Sequence, residues 1–345
     1  MSRTRQNTRP SSDGPYPSVH CVDNIIDVAI PDWISSMLFN ELEANHNPAK
    51  SKRTFDNNLD SPRDGVMTYL GTYFPRSLAE SFVLFDSLFS DKKYLKCLSE
   101  RDNVSILSVG SGTGGDLMGL LLALSKNFPS CKGLDIISLE GNSIAHEVMR
   151  DVLALSKSKI SIPFKVNAID TVFVGPKPFS SIRDLLPNNS LPFDFIINSK
   201  MLNELYSAGV SETPYMEFCE VLAPLLSETG VLLALDVTSP IGSSRKWTPI
   251  LLNGQVNSFL RNHESFKTIL PLLCNRFEES CSQKCYTQNQ IRVTHKNITN
   301  ECSKICYRVV GRADFVDQLS GSPALWDCPV TKNNMNHCDA FLNAR

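Results

Sequence analysis

The chain contains no uninterrupted run of about 18 apolar residues, the shortest stretch that reads as a bilayer-spanning helix, so no membrane segment is expected. It carries almost no net charge, −2 at pH 7. A global electrostatic drive toward nucleic acid or anionic lipid is therefore lacking, and any such contact has to come from a local basic patch. Acid is missing from the first twelve residues, MSRTRQNTRPSS, which hold three arginines. No apolar segment of a secretory signal follows, so secretion is not expected; the stretch reads either as a transit peptide or as a plain disordered start. The expected compartment is the cytoplasm, with the mitochondrial matrix as the alternative. There is no internal repeat. Apolar residues are not scarce: at 42% of 345 they suffice for one large domain or a core with appended parts.

Val104 to Asp116 reads VSILSVGSGTGGD. A β-leaning run (Val104, Ile106, Leu107, Val109) meets Gly110, Gly112, Gly114 and Gly115, and a helical pattern follows at once. Glycine is used where the backbone takes positive φ or lets a ligand approach closely. A glycine turn between strand and helix points N–H groups and a helix N-terminus at whatever lies above the sheet edge. Asp135–Leu139 reads as a second strand ending on Glu140, about 26 residues past Gly114, where a carboxylate suits ribose hydroxyls. Phe164–Ala168 is a third strand, followed by Asp170; Phe193–Ile197 is a fourth, ending on Asn198; Val231–Leu235 is a fifth, ending on Asp236. Helical patterns between them imply parallel pairing through right-handed crossovers.

The spacing is G-x-G-x-G-G, so Gly115 falls one place early for the G-x-G-x-x-G dinucleotide fingerprint, and no second phosphate-binding glycine loop exists. From Ser77 to Thr238 the chain resembles the class I S-adenosylmethionine (SAM)-dependent methyltransferases, whose first loop is typically G-x-G-x-G. The resemblance implies a doubly wound, Rossmann-like α/β sheet with SAM as cofactor. By position, Gly110, Gly112 and Gly114 would line the methionine part of SAM, Glu140 would hold the ribose, Asp170 would sit beside the adenine amine, and Asn198 would open the reaction pocket. The family usually places an acid near the SAM ammonium, two residues before the first glycine. That place is Ser108 here, and Asp116 is the residue that would substitute.

Outside this core, Asp32–Asn45 has helix-spaced apolar residues and 46–66 reads as a polar loop. Ser77–Phe89 reads as a helix opened by the capping box Ser77/Glu80; the class I resemblance implies that a helix so placed covers the SAM cleft with Tyr73 and Arg76 near the site, and the other reading is a packing helix with an exposed arginine. Gly230 is read as the stop of a helix from Pro214. Ile291–Val293 and Tyr307–Val310 would form the closing antiparallel hairpin of the fold. The expected organisation is a disordered N-terminus over 1–20, a helical region over 21–95, the SAM-binding core over 96–240, a cysteine-rich extension completing the sheet over 241–315, and a tail over 316–345.

Five of the eleven cysteines (Cys274, Cys281, Cys285, Cys302 and Cys306) fall within 33 consecutive residues. Thiols in a reducing compartment stay free or bind metal. The C-x6-C-x3-C spacing is not that of a zinc ribbon; looser sites include iron–sulfur clusters, which gather four cysteines in space, and His295 inside the segment is a further candidate ligand. The other reading treats these cysteines as small buried hydrophobes. The run DVTSPIG, a helix through Asn262, the three cysteines, YRVVGR from Tyr307, and upstream YFPRSLAES and NSKMLNEL together resemble the ribosomal small-subunit methyltransferase-like family of mitochondria and bacteria. That resemblance implies ribosomal RNA or the small ribosomal subunit as partner and a [4Fe-4S] cluster or zinc, with Cys274, Cys281 and Cys285 as ligands and Cys306 or Cys302 as the fourth.

Methyl transfer from SAM needs chiefly positioning and desolvation, and a base only where the acceptor is protonated. Asn198, Glu204 and Tyr206, with Asn203, are the candidates for acceptor contacts or a base. Asn198-Ser199-Lys200-Met201 stands where base-amino methyltransferases carry N/D-P-P-Y, and no cysteine there supports covalent cytosine chemistry. Lys200, Arg245, Lys246, Trp247 and Arg261 either bind phosphate and stack a base or are surface charge. Three readings follow: a SAM-dependent methyltransferase with ribosomal RNA as one acceptor, a non-catalytic assembly factor that keeps the SAM fold, and a small-molecule or protein methyltransferase with structural cysteines.

Overall fold

Between Asn103 and Val237 buried apolar strands alternate with helices, and this alternation builds the molecule's centre. The computed structural model describes residues 13–22, 25–48, 58–175, 177–188, 190–241, 246–271 and 289–319. In chain order they form β1 (Ser18–Val22), β2 (Ile25–Ala29), α1 (Asp32–Ser36) running into a π-helical turn (Met37–Glu41), α2 (Arg63–Phe89), α3 (Lys92–Ser99), β3 (Asn103–Val109), α4 (Gly115–Asn127), β4 (Gly133–Glu140), α5 (Ser143–Ser156) and β5 (Phe164–Asp170). There follow α6 (Ile182–Leu185), β6 (Phe193–Ser199), α7 (Leu202–Ser207), α8 (Pro214–Leu222), β7 (Leu226–Val237), the two-residue pair β8 (Pro240–Ile241) and β9 (Lys246–Trp247), α9 (Thr248–Asn262), β10 (Phe266–Leu270), β11 (Asn289–His295), β12 (Ile298–Arg312) and α10 (Ala313–Leu319).

One sheet runs β1-β2-β11-β12-β7-β6-β3-β4-β5, with β10 pairing β12 off this path. β5, β4, β3, β6 and β7 are parallel. The order reverses at β3, which is the switch point where doubly wound sheets open a crevice at the carboxyl ends of their strands. β12 then enters antiparallel between β7 and β11, the closing hairpin anticipated from Ile291–Val293 and Tyr307–Val310. The fold is thus the expected doubly wound, Rossmann-like α/β sheet. β6 is buried along both faces, as strands covered by helices on both sides must be. α2, α4 and α5 cover one face and α8 with α9 the other.

Local chemistry explains the helix boundaries. The Asn142 side chain accepts from Ile144 N and Ala145 N, both at 3.0 Å, and starts α5. Asp91 does the same for α3 through Lys93 N and Tyr94 N, and Pro214 occupies the first turn of α8, where its missing N–H costs nothing.

Several sequence expectations change. The helix read from Ser77 begins at Arg63 and carries Pro75 inside it, so Ser77 is not an N-cap and Glu80 is not part of a capping box. The helix runs through the proline because tertiary packing buries nearly its whole length, which outweighs the lost backbone bond. The polar 46–66 stretch therefore ends in helix. A strand pair begins at Ser18, inside the stretch read as disordered, and adds to the sheet by parallel pairing of β2 with β11. Gly230 lies within β7 rather than ending a helix. Of the expected tail, Ala313–Leu319 is helical and 320–345 lies outside the described residues.

Gly115 and Gly119 let α4 lie directly on α2. A Cβ at Gly119 would fall 2.5 Å from Leu78 O and 2.8 Å from Phe82 N, and one at Gly115 would fall 2.8 Å from Phe74 O. These are backbone atoms that cannot swing aside. Gly119→Ala is expected to lower unfolding free energy by about 1–3 kcal/mol through forced separation of the two helices, read from urea denaturation. A change below about 0.5 kcal/mol would show that the contact is not rigid.

Candidate functional site

The turn leaving β3 takes its shape from three left-handed glycines, with φ of +67° at Gly110, +51° at Gly112 and +83° at Gly114. Gly114 caps α4, and Gly114 N donates to Ser111 O at 2.8 Å. Gly110 N and Ser111 N both donate to Leu139 O at the end of β4, at 2.8 and 3.2 Å. The Glu140 carboxylate closes the same junction from the other side: Oε2 accepts Gly112 N at 2.7 Å and Oε1 accepts Asn142 N at 2.9 Å. The tips of β3 and β4 are therefore bonded to each other. Beneath them Ser111 Oγ and Ser138 Oγ share a 2.7 Å bond, Ser138 reaches His146 Nε2 at 2.9 Å, and His146 Nδ1 meets Asp170 Oδ1 at 2.6 Å.

Above this junction lies a half-open cleft. Its floor is Gly110, Gly112 and Thr113; its walls are Glu140, Gly141, Asn142 and Ala145 on one side and Ser199, Lys200, Met201 and Glu204 on the other. Tyr69 from α2, Phe173, and Asn58, Leu59 and Ser61 complete it. The 58–61 segment reaches across as a partial roof. Asn142 Nδ2 donates to Asn58 O at 2.7 Å and to Ser61 O at 3.2 Å, while Asn58 Nδ2 donates to Glu204 Oε1 at 2.7 Å.

Lys200 has φ +67°, a conformation costly for a side chain with a Cβ. Its ammonium sits 2.6 Å from Glu80 Oε2 and 3.2 Å from Ser77 Oγ. Glu80 is fully buried and its other oxygen accepts the Ser303 hydroxyl. A charge removed from water needs such partners, so the pair holds the β6–α7 turn to α2. Asp236, at the end of β7, accepts Tyr215 OH at 2.7 Å, Asn203 N at 3.2 Å and the Asn203 side chain, and so fixes α7 with Glu204 on it. Burial pushes the Glu204 carboxyl up to about 8 against the Asn58 bond, Asp116 up to about 7 and Asp236 up to about 6.

The residues singled out from sequence separate into two groups. Gly110, Gly112, Glu140 and Glu204 line the cleft, and Gly114 shapes its floor from below. Ser108 is buried in β3 with its hydroxyl making no hydrogen bond. Asp116 is buried beside the turn, with Oδ1 on Leu117 N and Oδ2 unbonded. Asn198 is buried and donates to Val109 O at 2.8 Å, so it ties β6 to β3 instead of facing the cleft. Asp170 is held by His146, and Thr171 and Phe173 line the cleft beyond it. Neither Tyr206 nor Tyr73 nor Arg76 is among the lining residues, and Arg76 turns to Glu301 of β12. Lys200 is committed to Glu80, Arg261 is exposed on α9, and Arg245 lies outside the described residues. Cys274, Cys281 and Cys285 also lie outside them. Cys302 is exposed, whereas Cys306 is fully buried with its thiol 3.6 Å from the Asp236 and Val237 carbonyls, and burial pushes that thiol well up. Asn58, Tyr69 and Glu80 carried no local signal for the roles they take; Glu80 in a helix pattern was the nearest to one.

No protein-family model matches the chain, and no curated protein sequence matches it. Its fold is similar to that of the plantazolicin methyltransferase BamL solved with a triazolic desmethylPZN analog and SAH, at 13% identity over 73% of this chain and 81% of that one, TM-score 0.36. A SAM dependent methyltransferase from Aquifex aeolicus is similar at 14% identity over 65% and 90%, TM-score 0.32. TrmN from Thermus thermophilus is similar at 14% identity over 70% and 53%, TM-score 0.33.

In the unfolded chain Glu204 titrates near 4.5, against about 8 when folded. Between those values the folded protein keeps a proton that the unfolded chain has released, so stability is greatest below the window and is lost as pH rises through it. Glu204→Gln, neutral throughout and able to keep the Asn58 bond, is expected to flatten this fall in urea midpoint between about pH 5 and pH 8. An unchanged slope would show that the carboxyl is ionised in the folded state.

Proposed function

We propose that the chain is a SAM-dependent methyltransferase that uses the cleft between the glycine turn and the β6–α7 turn. One observation carries the reading: Glu140 sits at the tip of β4 with its carboxylate on the Gly112 amide, at the mouth of a cleft floored by left-handed glycines. The residues fit the group. A side chain at Gly112 or Gly110 would demand left-handed backbone, and one at Gly110 would also fall 2.4 Å from Met201 Sδ. Each Glu140 oxygen keeps a second lone pair, so it can take a ribose hydroxyl without releasing the loop. Leu59, Ala145 and Phe173 offer an apolar slot for a purine.

SAM, when bound, supplies an already activated methyl carbon for in-line displacement. The chain's part is orientation and desolvation. The 58–61 segment excludes water from above, Tyr69 closes the α2 side, and the Lys200–Glu80 pair keeps the β6–α7 turn in place. Glu204 faces the same space with its carboxyl pushed up to about 8, which suits an acceptor that surrenders a proton near neutral pH. The acceptor is open: ribosomal RNA follows from the sequence resemblance, and a small molecule or protein fits the cleft equally.

A second reading, a SAM-binding ribosome assembly factor without turnover, is favoured by Ser108, whose buried hydroxyl stands where the family carries an acid. Calorimetric titration of SAM is expected to show binding that weakens about ten- to a hundredfold in Glu140→Ala, the loss of charge-assisted hydrogen bonds; equal affinity would remove the cofactor assignment. Tritiated methyl transfer into RNA, protein and small-molecule fractions from cells lacking this protein separates the two readings. Label in any fraction supports the enzyme, and SAM binding without label supports the scaffold.

A further inference from the structure

Outside the residues that line the cleft, four buried polar atoms make no hydrogen bond: His46 Nε2, His295 Nε2, Glu301 Oε2 and Arg76 Nε. They come from four separate places in the chain. His46 follows the π-helical turn, Arg76 is on α2, and His295 and Glu301 stand on β11 and β12 across the hairpin. The His295 side chain has no solvent exposure and that of Glu301 10%. Phe39 stacks on His295 at 5.3 Å and His46 meets it edge-on at 5.3 Å. An unsatisfied buried polar atom costs about 1–3 kcal/mol, and native interiors rarely tolerate several together.

We propose that His46, His295 and Glu301 form a site for a divalent transition-metal ion, with zinc the best fit. One donor atom from each residue lies within 4.8 Å of the other two, and His295 Nε2 is 3.8 Å from Glu301 Oε2. That is too long for a hydrogen bond. It is close to the roughly 3.4 Å that separates neighbouring ligands around tetrahedral zinc with bonds near 2.1 Å. Small side-chain rotations close the difference. Two imidazoles and a carboxylate suit zinc more than a hard cation such as magnesium or calcium, and water fills the fourth position. Ligation through Nε2 puts the His295 proton on Nδ1 and breaks only the long 3.4 Å contact from Asn297 N. Arg76 Nε lies 3.7 Å from Glu301 Oε1, so it orients the carboxylate through the oxygen that does not ligate, as outer partners of metal ligands do. Its charge also lowers affinity for a cation.

Among the described residues no cysteine contributes to the site, and the Cys302 thiol next to Glu301 is exposed. Bound metal would fasten the segment after α1 to the β11–β12 hairpin, which in turn holds β2 on the sheet.

The test titrates Co²⁺ and Zn²⁺ into the full chain after native alkylation of accessible thiols, with visible d–d absorption and metal content after dialysis as readouts. One equivalent per chain is expected, without thiolate charge-transfer bands. His295→Ala and Glu301→Gln are expected to weaken it by about a hundredfold or more, since losing a ligand costs at least as much as the roughly 10–100-fold of losing an outer partner. His46→Ala, at a half-buried position, serves where His295→Ala fails to give a folded circular-dichroism spectrum. Cys302→Ser is expected to leave the equivalent intact. Absence of any bound equivalent in the wild-type chain overturns the proposal, as does an equivalent that persists undiminished in folded His46→Ala.

Discussion

The Glu140 carboxylate accepts two backbone amides, from Gly112 and Asn142, and in doing so joins three pieces of chain at one point: the turn leaving β3, the tip of β4 and the start of α5. Everything attributed to the cleft presupposes this clamp. It holds a loop of left-handed glycines in one conformation, aims the first turn of α4 across the sheet edge, and leaves a carboxylate with spare lone pairs at the rim. The Ser111–Ser138–His146–Asp170 chain of hydrogen bonds supports the same junction from beneath. Ser111, Ser138 and His146 are buried and Asp170 meets solvent; buried polar groups stabilise only when satisfied, and here each link has a partner.

The opposite wall is held by different means. Lys200 leaves β6 in a strained backbone conformation and is tied to Glu80 on α2, while Asp236 at the end of β7 collects Asn203 and Tyr215. Acids placed under the sheet edge thus set the position of α7, and with it Glu204. Burial raises the pKa values of Asp236 and of Glu204. A pocket that positions groups through desolvated acids grows less stable as the solution becomes alkaline.

Where the structure agreed with the sequence, the reason is local periodicity. β3 to β7 repeat apolar residues in short runs of a buried strand's length, and their boundaries shift by only a few residues, apart from the amino-terminal end of β7. The strand–glycine–helix turn was equally legible, because only glycine takes its backbone angles cheaply. Disagreements arose where a local rule met a distant partner. Pro75 and Ser77 look like a helix start, yet α2 runs through both because it is buried against α4 and the sheet. Gly115 looks like a misplaced fingerprint glycine and instead admits the α2 backbone. Asp170 and Asn198 end strands at the right height, but neighbours on adjacent elements claim their side chains.

From its residues alone this chain determined a parallel, doubly wound core, a glycine turn at its switch point and an acid at the next strand tip, since each depends on backbone preference and spacing within a few dozen residues. Tertiary structure alone decided that Asn58 roofs the cleft, that Glu80 is a buried counter-ion for Lys200, and that His46, His295 and Glu301 converge. Such pairings join residues far apart in the chain, and no local pattern records which of many similar side chains the fold brings within bonding distance.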